Sequence, residues 1–85
     1  MKPVTVYSTR ICPYCVMAKQ LLTRKGVRYD EVMVDGNDEL RADLMRRTGR
    51  RTVPQIYIGD THVGGYDDLA ALERAGRLDP LLQDA

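Results

Sequence analysis

The spacing of hydrophobic and polar positions divides this chain into seven segments. Val4-Thr5-Val6-Tyr7-Ser8 is short, β-branched and aromatic, and predicts a strand. From Pro13 to about Lys25 the period lengthens to that of a helix, with Val16, Met17, Leu21 and Leu22 on its apolar face. Lys19, Gln20, Arg24 and Lys25 make the wet face. Pro13 suits a first helical turn, where its missing N–H would have no partner, and Gly26 suits the stop. Val27 to Val34 predicts a second strand, and its unbroken Val32-Met33-Val34 end predicts burial on both faces. Asp35-Gly36-Asn37-Asp38 is a turn in which Asn37 or Asp38 caps a second helix. That helix carries Leu40, Leu44 and Met45 and ends near Thr48-Gly49. Pro54-Gln55-Ile56-Tyr57-Ile58 predicts a third strand and Thr61-His62-Val63-Gly64 a fourth, with Gly59-Asp60 favouring an antiparallel hairpin between them. A last helix opens around Tyr66-Asp67-Asp68 and runs through Leu69 and Leu72 to about Ala75-Gly76. Leu78, Leu81 and Leu82 then form a terminal apolar cap, with Pro80 able to open a final turn.

The order β-α-β-α-β-β-α is an α/β arrangement: a βαβ unit followed by a hairpin gives a four-stranded mixed sheet with three helices packed on it. A right-handed parallel crossover is expected. This is the thioredoxin-like layout, in which a C-x-x-C opens the first helix. At 85 residues the chain makes one domain, residues 1–85, without linker, repeat or low-complexity stretch. Hydrophobic residues at 44% and charged residues at 29% describe a globular chain, and with neither Trp nor Phe its core must come from aliphatic residues, Met and Tyr. Thirteen basic against twelve acidic residues leave a formal charge of +1, which gives no electrostatic footprint for nucleic acid or a membrane surface. No apolar run is long enough to span a bilayer, and no signal-peptide core precedes the first strand, so cytoplasmic residence is expected.

Both cysteines, Cys12 and Cys15, lie within Thr9-Arg10-Ile11-Cys12-Pro13-Tyr14-Cys15, at the junction of the first strand and first helix. A helix N-terminus offers partial positive charge and unpaired N–H groups, which favour the thiolate, the reactive form of cysteine. Cys12 is nearer the helix start and is the expected nucleophile; Cys15, one turn on, is placed to resolve a mixed disulfide. In a reducing compartment such a pair is catalytic or metal-binding more often than structural. Zinc would need four ligands, and besides the two cysteines the chain offers only His62, so no metal is expected. His62 itself reads as an exposed strand residue.

Cys12-Pro13-Tyr14-Cys15, Thr52-Val53-Pro54-Gln55 and Gly64-Gly65-Tyr66-Asp67-Asp68, in this order and spacing, resemble the signature set of the dithiol glutaredoxins. Asp35-Gly36-Asn37 and Leu78-Asp79-Pro80-Leu81-Leu82 make the chain most like the short bacterial glutaredoxin 3 subgroup. The resemblance implies a cis Val53–Pro54 bond beside the dithiol, with Thr52, Val53 and Pro54 meeting a thiol peptide as an added strand would. It implies that the backbone of Tyr66 and Asp67, following Gly65, holds the γ-glutamyl carboxylate of glutathione, while the Asp67 side chain meets its amine. Tyr14 would lie along the ligand. Family members commonly carry a lysine three residues before the first cysteine, where this chain has Thr9. Arg46 is the expected substitute for the glycine carboxylate of glutathione, with Arg10 and Arg51 as alternates. Tyr66 stands where several relatives have a third cysteine.

The function implied is a glutathione-dependent thiol–disulfide oxidoreductase with no bound cofactor and with glutathione as co-substrate. The expected partners are proteins with disulfides or glutathione adducts, ribonucleotide reductase being one client the family suggests, and glutathione reductase acts indirectly. A potential of about −200 to −230 mV would place the pair near the glutathione pool. A monomer suffices. Three other readings stand beside this one: a redoxin reduced by thioredoxin reductase, a protein bridging an iron–sulfur cluster between two subunits, and a binding module without redox activity.

Overall fold

The alternation of Val4, Val6 and Ser8 with Thr5 and Tyr7 makes β1 (Val4–Ser8) a strand with one fully buried face. The computed structural model, which describes residues 1–83, continues with α1 (Pro13–Arg24), β2 (Asp30–Met33), α2 (Asp38–Thr48), β3 (Gln55–Ile58), β4 (Thr61–Gly64), α3 (Tyr66–Arg74) and α4 (Leu78–Leu82). The strands form one mixed sheet in the order β2-β1-β3-β4, with β1 parallel to β2 and antiparallel to β3, and β3 antiparallel to β4. Val4 lies opposite Ile58 and Val6 opposite Ile56, so these four side chains share one face. They pack against Ala18, Leu21 and Leu22 of α1, Leu69 of α3 and Leu78 and Leu82 of α4. Burying an aliphatic side chain of this size stabilises by about 1.5–3 kcal/mol, so this layer carries the fold. On the other face Tyr7 and Tyr57 meet edge to face at 6.0 Å, and the Arg47 guanidinium of α2 lies 5.4 and 5.6 Å from their ring centres. Asn37 caps α2 through its Oδ1, which accepts the Leu40 N–H at 3.0 Å. Among the described residues, no helix is long and apolar enough to cross a membrane.

Four expectations need correction. The sequence predicts three helices, and the terminal Leu78–Leu82 segment adds a short fourth, because Leu78 and Leu82 together seal the open end of the core. In α1 the buried stripe runs through Cys15, Ala18, Leu21 and Leu22, whereas Val16 and Met17 are 46% and 39% exposed. Small residues at 15 and 18 give α1 a stripe that can approach the sheet closely, and Val16 and Met17 fall to one side of it. The second strand is shorter than Val27 to Val34 and borders only β1, so of its Val32-Met33-Val34 end Val32 is half-buried, Met33 exposed, and only Val34 fully covered. Finally, His62 is half-buried rather than exposed, because its ring lies 5.2 Å from that of Tyr57 and its Nε2 meets the buried Gln55 side chain at 2.7 Å.

Candidate active site

Cys12 is the N-cap of α1, with extended backbone (φ −152°, ψ 98°), and Pro13 occupies the first turn. The Cys12 Sγ accepts the Cys15 N–H at 3.2 Å, one of the helix-start donors that no carbonyl can satisfy. The two cysteines are joined as a disulfide with their Cα atoms 5.2 Å apart. They differ sharply in exposure: Cys12 is half-buried, whereas Cys15 is 1% exposed beneath the helix. An incoming sulfur therefore reaches Cys12 first. When the pair is reduced, the same N–H and the helix dipole favour negative charge on Cys12.

The segment before β3 comes up against this sulfur. The Val53–Pro54 bond is cis, as the sequence resemblance implied, and the Val53 carbonyl oxygen lies 3.7 Å from Cys12 Sγ. From the other side arrives the start of α3. Gly65 is its N-cap, and the Gly65 N–H donates to Oδ2 of Asp68 at 2.9 Å, half of a capping box. The same oxygen takes Nη1 of Arg50 at 2.8 Å. The Arg50 guanidinium, and then the Gly65 N–H, hold the Asp68 carboxyl below the ordinary carboxylate range. Gly64, at φ 118°, lies against this pair: a Cβ there would run into the Asp68 carboxylate and stand 3.0 Å from Arg50 Nη1. Only glycine fits.

Between these pieces runs a cleft of about 260 Å³. Tyr14, Thr52, Val53, Pro54, Gly65, Tyr66 and Asp67, seven residues singled out from the sequence, all line it. The Tyr14 and Tyr66 rings stack at 6.3 Å and 30° along one wall. Arg46 is placed elsewhere. Its side chain is 71% exposed, its Nη2 is 3.4 Å from Asp43 Oδ1, and it borders a separate depression with Asn37 and Leu40. Arg51 is exposed, and Arg10 is exposed with its backbone N–H bound to Asp35 Oδ2 at 2.9 Å. The arginine that does line the cleft is Arg50, which sequence reasoning passed over, as it passed over the Asp68 cap. For Asp68 a signal existed, namely an acidic residue three positions after an N-cap glycine. For Arg50 there was none beyond its membership of an arginine run. Among the described residues, no group of three or more His, Cys, Asp or Glu side chains is placed to hold a metal ion.

Comparisons with known proteins converge on one family. The family model described as Glutaredoxin matches residues 4–63. The chain is 65% identical over 82 residues to a glutaredoxin of Pseudomonas aeruginosa, covering 96% of this chain and 98% of that protein. It is 51% identical over 83 residues to glutaredoxin 3 of Escherichia coli, covering 98% of this chain and 100% of that one. Among solved structures, a buckwheat glutaredoxin–glutathione complex superposes with a TM-score of 0.90 at 38% identity, over 95% of this chain and 76% of that one.

Proposed function

Since the chain belongs to the glutaredoxin family and its Cys12–Cys15 pair makes it a thiol–disulfide oxidoreductase, we propose that its working partner is glutathione, held in the cleft beside Cys12. One observation supports this most: the cleft joins the Val53–Pro54 edge to the N-terminus of α3 beside Cys12, the more accessible of the two cysteines. In this reading Thr52, Val53 and Pro54 align the peptide of the thiol substrate. The N–H groups of Tyr66 and Asp67, following Gly65, take the γ-glutamyl carboxylate, and the Asp67 side chain takes the amine. Tyr14 covers the ligand. The glycine carboxylate reaches the arginine-rich end of α2, where Arg46 is the choice from sequence and Arg50 is the arginine lining the cleft. Separate Arg46→Ala and Arg50→Ala variants decide between them, since the true partner raises the KM for glutathione when it is removed. A rise of about tenfold matches the loss of one charge-assisted hydrogen bond.

The chemistry follows from the difference between the two sulfurs. The Cys12 thiolate attacks the glutathionyl sulfur of a protein mixed disulfide; a Cys12–glutathione disulfide forms, and the protein thiolate leaves and takes up a proton. A second glutathione thiolate attacks that adduct on its glutathionyl sulfur, releasing glutathione disulfide and the Cys12 thiolate. For a protein disulfide, Cys12 forms the mixed disulfide and Cys15 displaces the protein thiol, leaving the Cys12–Cys15 disulfide for two glutathione molecules to reduce. Glutathionylated and disulfide-bearing proteins, ribonucleotide reductase among them, are the proposed clients. The proposed setting is the cytoplasm, where glutathione reductase recycles the product, and the proposed working unit is a monomer with no bound cofactor.

An assay coupled to glutathione and glutathione reductase tests the scheme on a small mixed disulfide and on a protein disulfide. Cys12→Ser should lose both activities. Cys15→Ser should keep the first and lose the second. Loss of both in Cys15→Ser contradicts the two-route scheme, and turnover with thioredoxin reductase but none with glutathione overturns the choice of partner.

A further inference from the structure

Gln55 is a fully buried polar side chain at the start of β3. Its Nε2 donates to the Thr52 carbonyl oxygen at 2.8 Å and lies 3.3 Å from Thr52 Oγ1, while its Oε1 lies 2.7 Å from His62 Nε2 across the β3–β4 hairpin. A carbonyl oxygen only accepts, so the amide nitrogen must face Thr52 and the amide oxygen must face His62. His62 therefore carries a hydrogen on Nε2. The imidazole is braced by Tyr57, ring centres 5.2 Å apart. Among the described residues, no buried side-chain nitrogen or oxygen lacks a partner, so the chain from His62 through Gln55 to the Thr52 carbonyl is complete.

What this chain holds is the approach to the reacting sulfur. Thr52 to Pro54 precede β3 and lie outside its ladder. The Thr52 carbonyl belongs to the peptide that joins Val53, and the next carbonyl, that of Val53, faces Cys12 Sγ at 3.7 Å. Thr52, Val53 and Pro54 line the cleft; Gln55 and His62 do not. A buried amide that makes its hydrogen bonds costs little, whereas one stripped of a partner costs more than the bond itself, so the Thr52 peptide is fixed in one orientation.

We infer that Gln55, oriented by His62, is a positioning residue: it pins the Thr52 carbonyl and so sets how the Thr52–Pro54 edge meets a thiol substrate, without touching that substrate itself. The inference rests on the proposed role of this edge in holding glutathione.

The test compares wild type, His62→Phe and His62→Gln in the glutathione-coupled assay, with kcat and KM for glutathione separated. Phenylalanine keeps a ring against Tyr57 but has no N–H for the Gln55 oxygen; glutamine returns an amide donor at similar reach. His62→Phe should raise KM for glutathione roughly three- to tenfold, the size expected for one buried hydrogen bond. Its kcat should stay within about twofold, and His62→Gln should recover most of the loss. An unchanged KM in folded His62→Phe overturns the inference. So does an equal rise in His62→Gln, which would trace the effect to ring packing. Gln55→Met, of similar volume and without either hydrogen bond, should match or exceed His62→Phe; should it not fold, the two His62 variants decide alone. Wild type that shows no saturation by glutathione takes down the cleft reading and this inference together, whereas a saturating wild type with unchanged variants removes the positioning role only.

Discussion

Cys12 and Cys15 are the same residue type one helical turn apart, and position separates their chemistry: the first is half-buried at a helix cap, where the Cys15 N–H reaches its sulfur, and the second is 1% exposed beneath the helix. Gly64, just before the N-cap of α3, is as tightly constrained. Gly64→Ala would place a methyl group against Asp68 and Arg50 at a positive φ. It should cost about 1–3 kcal/mol in urea unfolding and raise the KM for glutathione, because the displaced Asp68 no longer caps α3 at the cleft. A variant with wild-type stability and KM would show that the Arg50–Asp68 clamp is not part of the site. At this scale the sequence was informative wherever a residue acts through its own backbone position, as Cys12 does at an N-cap. It was silent on Arg50, whose partner Asp68 is eighteen residues away and becomes a neighbour only when α3 docks beside the segment before β3.

Elements are tied together here by polar contacts at their margins as much as by the core. Lys19 of α1 donates to Glu31 Oε2 on β2 at 2.7 Å, and the buried Ser8 hydroxyl of β1 donates to the same oxygen at 2.7 Å. The network fastens the edge strand β2, whose own apolar contribution is small. The Lys19 ammonium first, and the Ser8 hydroxyl second, lower the Glu31 carboxyl from its ordinary value of 4.5. A folded-state value below the unfolded one adds stability that is present above about pH 4.5 and lost as pH falls through the lowered value. Glu31→Gln should therefore be less stable than wild type at pH 7 by about 0.5–1 kcal/mol, and the difference should close towards pH 3. Urea unfolding at the two pH values checks this, and a difference that persists undiminished at pH 3 would rule out the carboxylate as its source. Hydrogen exchange of the β2 amides should quicken in the variant at neutral pH.

For the molecule as a whole, small size sets the energetics. A domain of this length has a total stability of about 5–15 kcal/mol, so α4 matters out of proportion to its five residues. Leu78 and Leu82 are 0% and 2% exposed, the Leu82 carbonyl accepts the Lys2 N–H at 2.8 Å, and Lys25 at the end of α1 bridges Glu73 and Asp79, both at 2.9 Å. The C-terminal helix thus closes the fold against both its first residues and α1. Leu78→Ala should cost about 2–5 kcal/mol, read as a large drop in thermal midpoint, while kcat of the remaining folded protein stays near wild type. A midpoint within a few degrees of wild type would show that α4 is an ornament on the core.

The sequence by itself determined the order of the first seven elements, the antiparallel hairpin, a cap at Asn37 or Asp38 and the placing of two cysteines at a helix start, because each follows from periodicity or from backbone chemistry within a few residues. It also supplied seven of the cleft residues, through motifs whose spacing survives in the linear chain. Tertiary structure alone decided which stripe of α1 is buried, how exposed β2 is at the sheet edge, that the tail folds into α4, and which arginine borders the cleft. It decided the Gln55–His62 link as well, since two residues on adjacent strands become partners only when the hairpin register is set. Each of these depends on a neighbour distant in sequence, and hydrophobic pattern records only that a residue is buried, never by what.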